Sequence, residues 1–333
     1  VTGAGGPASG AAAALDRALL EDGTLRLTAD VATEAQVRYW LPRLPAGSAD
    51  RGRARASIEV YLSDVVAARP ETPPNLVLDP VEGWVYGVEA ITLRARDGSV
   101  GGTIDFASLK ATLALTPDAA RPVATPLEPR NAAVFSALTL TSALLLNRMR
   151  RALLHAAAVV APDGRAWLLV GDAFAGKTTT TVNLIRAGWG WVSDDTVVLD
   201  RTDDGAVAVE GWPRAFHLDR GYHAGESTGA RVAVDPESFG PGPWRRGARL
   251  AGVVFPRVEA DRPTVATPLP AADALARLIR QSPWLLVDRA VARDVLALLT
   301  AAVSGPRFHL RLGRDSYRDA GRLLDALAAA GVG

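Results

Sequence analysis

The segment Gly171-Asp172-Ala173-Phe174-Ala175-Gly176-Lys177-Thr178 limits what this chain can fold into more than any other. It fits the pattern G-x-x-x-x-G-K-[ST] and stands between an apolar run over 166–170 and a helical pattern over 179–187. A strand, a glycine turn and a helix in that order gather consecutive backbone amides and the unpaired N–H groups of the helix start around one point, which favours an anion. In this motif Lys177 supplies a compact charge for phosphate, and Thr178 can offer a hydroxyl to Mg²⁺. The bland alternative is a glycine-rich turn with a solvated lysine. Residue usage argues against it. Lys110 and Lys177 are the two lysines, and Arg supplies the other 35 of the 37 basic residues. A lysine kept in so arginine-biased a chain is kept for a point charge that a planar guanidinium does not provide.

Ser193-Asp194-Asp195 lies at the end of the next apolar run, 189–192, with the aspartates 17 and 18 residues after Lys177. Asp pairs are common in turns. Beside a phosphate site, however, one carboxylate can hold Mg²⁺, directly or through water, and the other can accept the proton of an attacking hydroxyl.

The chain has 333 residues, enough for about two domains. Residues 1–14, rich in Gly, Ala and Ser, read as a flexible tail with no basic segment ahead of an apolar one, unlike a signal peptide. Residues 15–129 read as a smaller, mixed and largely β domain, with strands over 56–62 and 83–96 and a hairpin turn at Asp97-Gly98. A proline-containing linker, 116–129, sets the boundary near Pro129. Residues 130–333 then read as an α/β domain. It opens with a helix over 131–154 that His155 closes, continues through hairpins at Pro162-Asp163-Gly164 and Asp203-Asp204-Gly205, and ends in a strand over 308–312 and a helix over 315–329. Residues 220–247 are polar and rich in Gly and Pro, and read as a functional loop or a partly disordered one.

Composition excludes several classes. A net charge of +1 supplies no broad field for nucleic acid or an anionic membrane, so neither is expected as a partner. The absence of cysteine removes disulfides, thiol nucleophiles and thiolate metal sites, and is compatible with a cytoplasmic setting. The most apolar run, 132–146, is shorter than the roughly 20 residues of a membrane span. There is no LSGGQ-like signature of a transporter ATPase. His217, His223 and His309 lack metal spacing, Lys110 reads as solvated, and Trp189 and Trp191 read as core or interface residues. Arg214, after Pro213, could meet a phosphate but is one arginine among 35.

Taken together, His155-Ala156-Ala157-Ala158-Val159-Val160, the run LLVGDAFAGKTTT and Ala187-Gly188-Trp189-Gly190-Trp191-Val192-Ser193-Asp194-Asp195 resemble the C-terminal kinase domain of HPr kinase/phosphorylase. The resemblance is closer still to the HPr-kinase-like proteins found beside peptide-modification genes, including the lasso-peptide precursor kinases. It covers about residues 131–200 and is looser beyond Gly211-Trp212-Pro213-Arg214. It implies a P-loop fold shared with phosphoenolpyruvate carboxykinase and ATP bound by Gly171, Asp172, Ala173, Phe174, Ala175, Gly176, Lys177, Thr178 and Thr179. It also implies Asp195 as catalytic base, His155 and Lys177 at the transferring phosphate, and Mg²⁺ held by Thr178 and Asp194. Glu210 matches a metal-associated glutamate of the family, without the Arg-Gly pattern that follows it there. The implied activity is transfer of the γ-phosphate of ATP to a hydroxyl, Ser or Thr of a peptide or small carrier protein, with the N-terminal domain selecting the substrate or partner. A small-molecule kinase and a nucleotide-binding regulatory module without transfer remain alternatives, and a homo-oligomer is compatible with the sequence. Ala173-Phe174 replaces the Ser-Gly usual in the family loop, with the Phe174 ring expected to point away from phosphate.

Overall fold

Buried apolar positions recur at every second residue or in unbroken runs along most of the chain, and the resulting strands form two large sheets, one in each of two compact units. The computed structural model describes residues 14–42, 54–86, 88–122, 129–219 and 231–332. The expected tail up to residue 13, linker residues 123–128 and residues 220–230 of the expected loop lie outside them.

The first unit comprises residues up to Arg150 together with Trp284–Arg293. Its strands are β1 (Leu15–Ala18), β2 (Leu25–Ala29), β3 (Ala56–Leu62), β4 (Leu76–Leu78), β5 (Val81–Tyr86), β6 (Ala90–Ala95), β7 (Val100–Asp105) and β8 (Lys110–Leu115). They lie in the order β1-β2-β3-β8-β7-β6-β5-β4, with β2–β3 and β3–β8 parallel and the remaining pairs antiparallel. Asp97-Gly98 makes the turn between β6 and β7, where Gly98 takes φ +76°. Helices α1 (Glu34–Trp40), α2 (Pro117–Ala120) and α3 (Pro129–Arg148) complete the unit. Helix α3 buries Val134, Ala137, Leu138, Leu144 and Leu145. At its end the Arg148 guanidinium lies 4.2 Å from the centre of the Phe106 ring and pairs with the buried Asp288 carboxylate. The division between units therefore falls after Arg150, not near Pro129.

The expected helix over 131–154 is too long. Arg150 takes φ +62°, a left-handed conformation that ends the helix, and Ala152 already begins a strand. His155 thus lies within a strand rather than closing a helix.

The second unit holds β9 (Ala152–Val160), β10 (Ala166–Val170), β11 (Gly190–Ser193), β12 (Thr196–Arg201), β13 (Val207–Gly211), β14 (Phe216–Asp219), β15 (Arg231–Val234), β16 (Gly247–Val258), β17 (Val265–Pro268) and β18 (Arg307–Leu312). Its helices are α4 (Lys177–Arg186), α5 (Ala271–Arg280), α6 (Ala292–Ala302), α7 (Arg314–Arg318) and α8 (Ala320–Ala329). The main sheet runs β10-β9-β12-β13-β16-β18-β17, and β10 also pairs in parallel with β16. Strands β10, β16 and β18 are parallel, so the loop after β10 opens at their common carboxyl end. Trp167, Phe308, Leu323 and Trp189 share one apolar cluster, and Trp191, Phe216 and Phe239 another, so both expected tryptophans are core residues. The stretch read as one loop over 220–247 contains β15 and a short 3₁₀ turn, Pro236–Phe239, and the expected closing helix is divided at Asp319. Among the described residues no helix is long and apolar enough to cross a membrane.

Candidate active site

Strand β9 organises the site. It is buried along almost its whole length, ALLHAAAVV, and His155 is the polar interruption. On one edge Ala156 pairs with Val170, the last residue of β10, so the glycine loop begins one residue along from His155. On the other edge β11 and β12 lie end to end, Ser193 opposite Ala158 and Thr196 opposite His155. Asp194 and Asp195 occupy the junction between them, so strand pairing alone brings the lysine loop and the aspartates to either side of one histidine.

The loop's shape follows from two residues with positive φ. Gly176 takes φ +101°, a conformation that favours glycine, and a Cβ there would also press on the Leu312 side chain, 2.6 Å from its Cδ1. Phe174 takes φ +65°, an unfavourable conformation for a bulky residue, and is 79% exposed. Behind the loop, Lys177 opens α4 with its side chain buried. Its Nζ donates to the carbonyls of Gly171 (2.6 Å) and Asp172 (3.1 Å) and lies 3.2 Å from His155 Nε2. An ammonium can only donate, so Nε2 is the acceptor and the imidazole proton sits on Nδ1, which donates to Asp195 Oδ1 at 3.1 Å. The other Asp195 oxygen accepts from Arg214 at 2.7 Å and from Thr196 Oγ1 at 3.2 Å. Lys177, His155, Asp195 and Arg214 form one continuous chain of hydrogen bonds.

The two aspartates differ in access. Asp194 is 6% exposed and accepts from Thr178 Oγ1 at 3.3 Å, whereas the side chains of Asp195 and His155 are 38% and 40% exposed. Burial, and then the neighbouring Asp195 charge, push the Asp194 carboxyl up to about 8. Desolvation also pushes Asp195 up, but the hydrogen bond from His155, reinforced by the charges of Arg214 and Lys177, holds it well below the usual carboxylate range. The two carboxyls of the pair are thus pushed in opposite directions.

Thr178 and Asp194 offer a hard, all-oxygen donor pair. Among the described residues no three His, Asp or Glu side chains converge as a metal cage. This suits Mg²⁺, which keeps several waters and phosphate oxygens as ligands, better than a cation held wholly by protein. Glu210 lies on β13 opposite Val198 and does not join the aspartates in such a cluster. Thr179 lies in the first turn of α4, and Ala173 and Ala175 in the loop. Sequence reasoning missed Gln281, whose Nε2 donates to the Asp172 carboxylate at 2.8 Å and whose carbonyl accepts from the His155 amide at 3.2 Å. It also gave Arg214 no role in positioning Asp195, since nothing local sets it apart from the other arginines.

No protein-family model matches the chain, and no curated protein matches it. Among solved structures it is similar to the HPr(Ser) kinase/phosphatase from Coxiella burnetii, with a TM-score of 0.31 and 14% identity over 54% of this chain and 94% of that one. The functional reading below rests on the geometry of the site and on the sequence motifs.

Proposed function

We propose that this chain is an ATP-dependent kinase that transfers the γ-phosphate to a hydroxyl, that of Ser or Thr in a peptide or small carrier protein. The observation that carries the reading is the division of labour between the aspartates. Asp194 is buried against Thr178, and Asp195 is open to solvent, ionised and linked through His155 to Lys177.

The phosphates of ATP rest on the amides of Gly171–Thr178 and the start of α4, and Lys177 turns its ammonium from the loop carbonyls to the γ-phosphate. Thr178 and Asp194 would hold Mg²⁺, which supplies neutralisation of charge on the phosphate oxygens. The substrate hydroxyl approaches Asp195, the carboxylate solvent can reach. Its oxygen bonds to the γ-phosphorus, the bond from that phosphorus to the β,γ-bridging oxygen breaks, ADP leaves, and the hydroxyl proton passes to Asp195. A carboxylate held well below the usual range is a weak base. It acts chiefly by orienting the hydroxyl and taking the proton late, as a loose phosphoryl-transfer transition state permits. His155 keeps Lys177 and Asp195 in register.

The test is calorimetry with Mg-ATP together with transfer from γ-labelled ATP to a pool of Ser and Thr peptides. Wild type is expected to bind and to label peptide, and Lys177→Ala to lose both while keeping its circular dichroism spectrum. Equal ATP affinity in the two proteins contradicts the loop assignment. Binding without transfer to any acceptor replaces the kinase by a nucleotide-binding regulatory module.

A further inference from the structure

On the β16 side of the glycine loop lies a cleft of about 430 Å³, which the loop itself borders through Gly171 to Ala175 and whose other lining residues have no part in the transfer chemistry. It is lined by Phe255, Pro256, Arg257 and Val258 at the end of β16, by Arg277, Arg280 and Gln281, and on the loop side by Asp172 and the exposed Phe174 among others. It opens at the carboxyl ends of the parallel strands β10 and β16, where ligands of α/β sheets are commonly held.

Its electrostatics are one-sided. Arg277 lies over the Phe255 ring at 5.4 Å, and among the described residues neither it nor Arg280 pairs with a carboxylate. Arg257, itself exposed, pairs loosely with the half-buried Glu259 at 3.6 Å. The acid in the lining, Asp172, already accepts from Gln281. Arg257 and Arg311 stand side by side on β16 and β18, a like-charge pairing that is unfavourable in an empty sheet. His309, in register with Phe255, is pushed down by burial and then by Arg277, Arg257 and Arg311, with Glu259 opposing them. Arg277 and Arg280 also suit the last turn of α5, but Arg257 and Arg311 are strand residues, so helix-end preference does not account for the cluster.

We propose that this cleft reads the acceptor, binding carboxylate side chains of an acidic peptide segment while the hydroxyl to be phosphorylated sits at Asp195; the inference rests on the kinase reading above. Asp195 lies along the far edge of β9, and β9, β10 and β16 are successive neighbours. With a strand spacing of about 4.8 Å and two or three spacings between β12 and β16, the cleft lies roughly 10–15 Å from the base, and an extended peptide advances about 3.3 Å per residue. The acidic residues therefore fall about three to five positions from the phosphorylated Ser or Thr. Phe174, exposed on the rim despite its unfavourable φ, offers an apolar contact for an intervening side chain.

The experiment compares matched Ser peptides carrying either three Glu or three Gln at positions three to five from the serine, on either side. Each is measured for kcat/KM and for binding by fluorescence anisotropy, with wild type and with Arg277→Gln/Arg280→Gln. Wild type is expected to prefer the Glu peptide about tenfold, the combined effect of two or three partly exposed ion pairs. The double variant should reduce the preference to within about twofold, mainly through KM. A second variant, Arg280→Glu, should shift the preference towards a Lys-flanked peptide. Three results overturn the proposal: equal use of both peptides by wild type, a preference that survives the double variant, or a loss confined to ATP affinity, which would give the cleft to the nucleotide. Phosphorylation without preference removes only the acidic-acceptor inference. Failure to phosphorylate any peptide removes the kinase reading and this inference with it.

Discussion

The two flanks of the glycine loop are built on opposite electrostatic principles. On the β9 flank the charged groups are locked together, Lys177 to His155, His155 to Asp195 and Asp195 to Arg214, with three of the contacts between 2.7 and 3.2 Å. On the β16 flank Arg257, Arg277 and Arg280 face a cleft in which the one carboxylate, Asp172, is already engaged. A paired network fixes geometry and suits bond making, where a small displacement is expensive in rate. A surplus of one charge suits selection, because its partner arrives with the ligand. The comparison teaches that chemistry and recognition can be read separately here, by asking which charges the fold has already satisfied.

Breaking the locked flank gives the larger effect. Arg214→Gln removes the cation on Asp195 Oδ2 and lets the carboxylate swing, and kcat for transfer is expected to fall about 10- to 100-fold. Because Arg214 helps hold the Asp195 carboxyl low, its removal raises that pKa towards the ordinary carboxylate range. The acid limb of the pH–rate profile should then move to higher pH, a shift that a merely destabilised protein would not show. An unmoved limb with the same kcat would disconnect Arg214 from the base.

The open flank can be probed more gently at its rim. Phe174→Gly relieves a left-handed conformation and is expected to stabilise the protein by about 1 kcal/mol. In thermal unfolding that is a rise of about 2–4 °C for a unit of this size. ATP affinity should stay within about twofold while acceptor KM rises, because the ring is exposed at the rim of the cleft and its loss removes an apolar contact. A several-fold gain in ATP affinity would show that the ring crowds the phosphates.

The two flanks were unequally legible in the sequence, for physical reasons. Lys177, Thr178, Asp194 and Asp195 stand out because a strand, a turn and a helix are local, and local order fixes the spacing between them. The helix over 131–154 ran too long because Leu- and Ala-rich residues suit a buried strand as well as a helix, and the left-handed Arg150 carries no mark in composition. Gln281 meets Asp172 across 109 positions, and Arg277 and Arg280, nearly as far along the chain, line the same cleft as the loop, which follows β10, the parallel neighbour of β16. Long-range pairings of this kind have no local signature. The parallel contacts β2–β3 and β3–β8 of the first unit were hidden for the same reason, although the β3 span and the Asp97-Gly98 turn were plain from alternation and turn chemistry.

The central claim is that the adjacent aspartates have different tasks, and one side-by-side measurement tests it. Mg-ATP affinity by calorimetry and γ-phosphate transfer to peptide are measured for Asp194→Asn and Asp195→Asn against wild type. Asp194→Asn, which removes the buried oxygen beside Thr178, is predicted to weaken Mg-ATP binding along with turnover. Asp195→Asn, which removes the solvent-accessible carboxylate, is predicted to leave that affinity nearly unchanged while transfer falls about 10²–10⁴-fold. Equal losses of affinity in both variants, or unimpaired transfer by Asp195→Asn, would contradict the account.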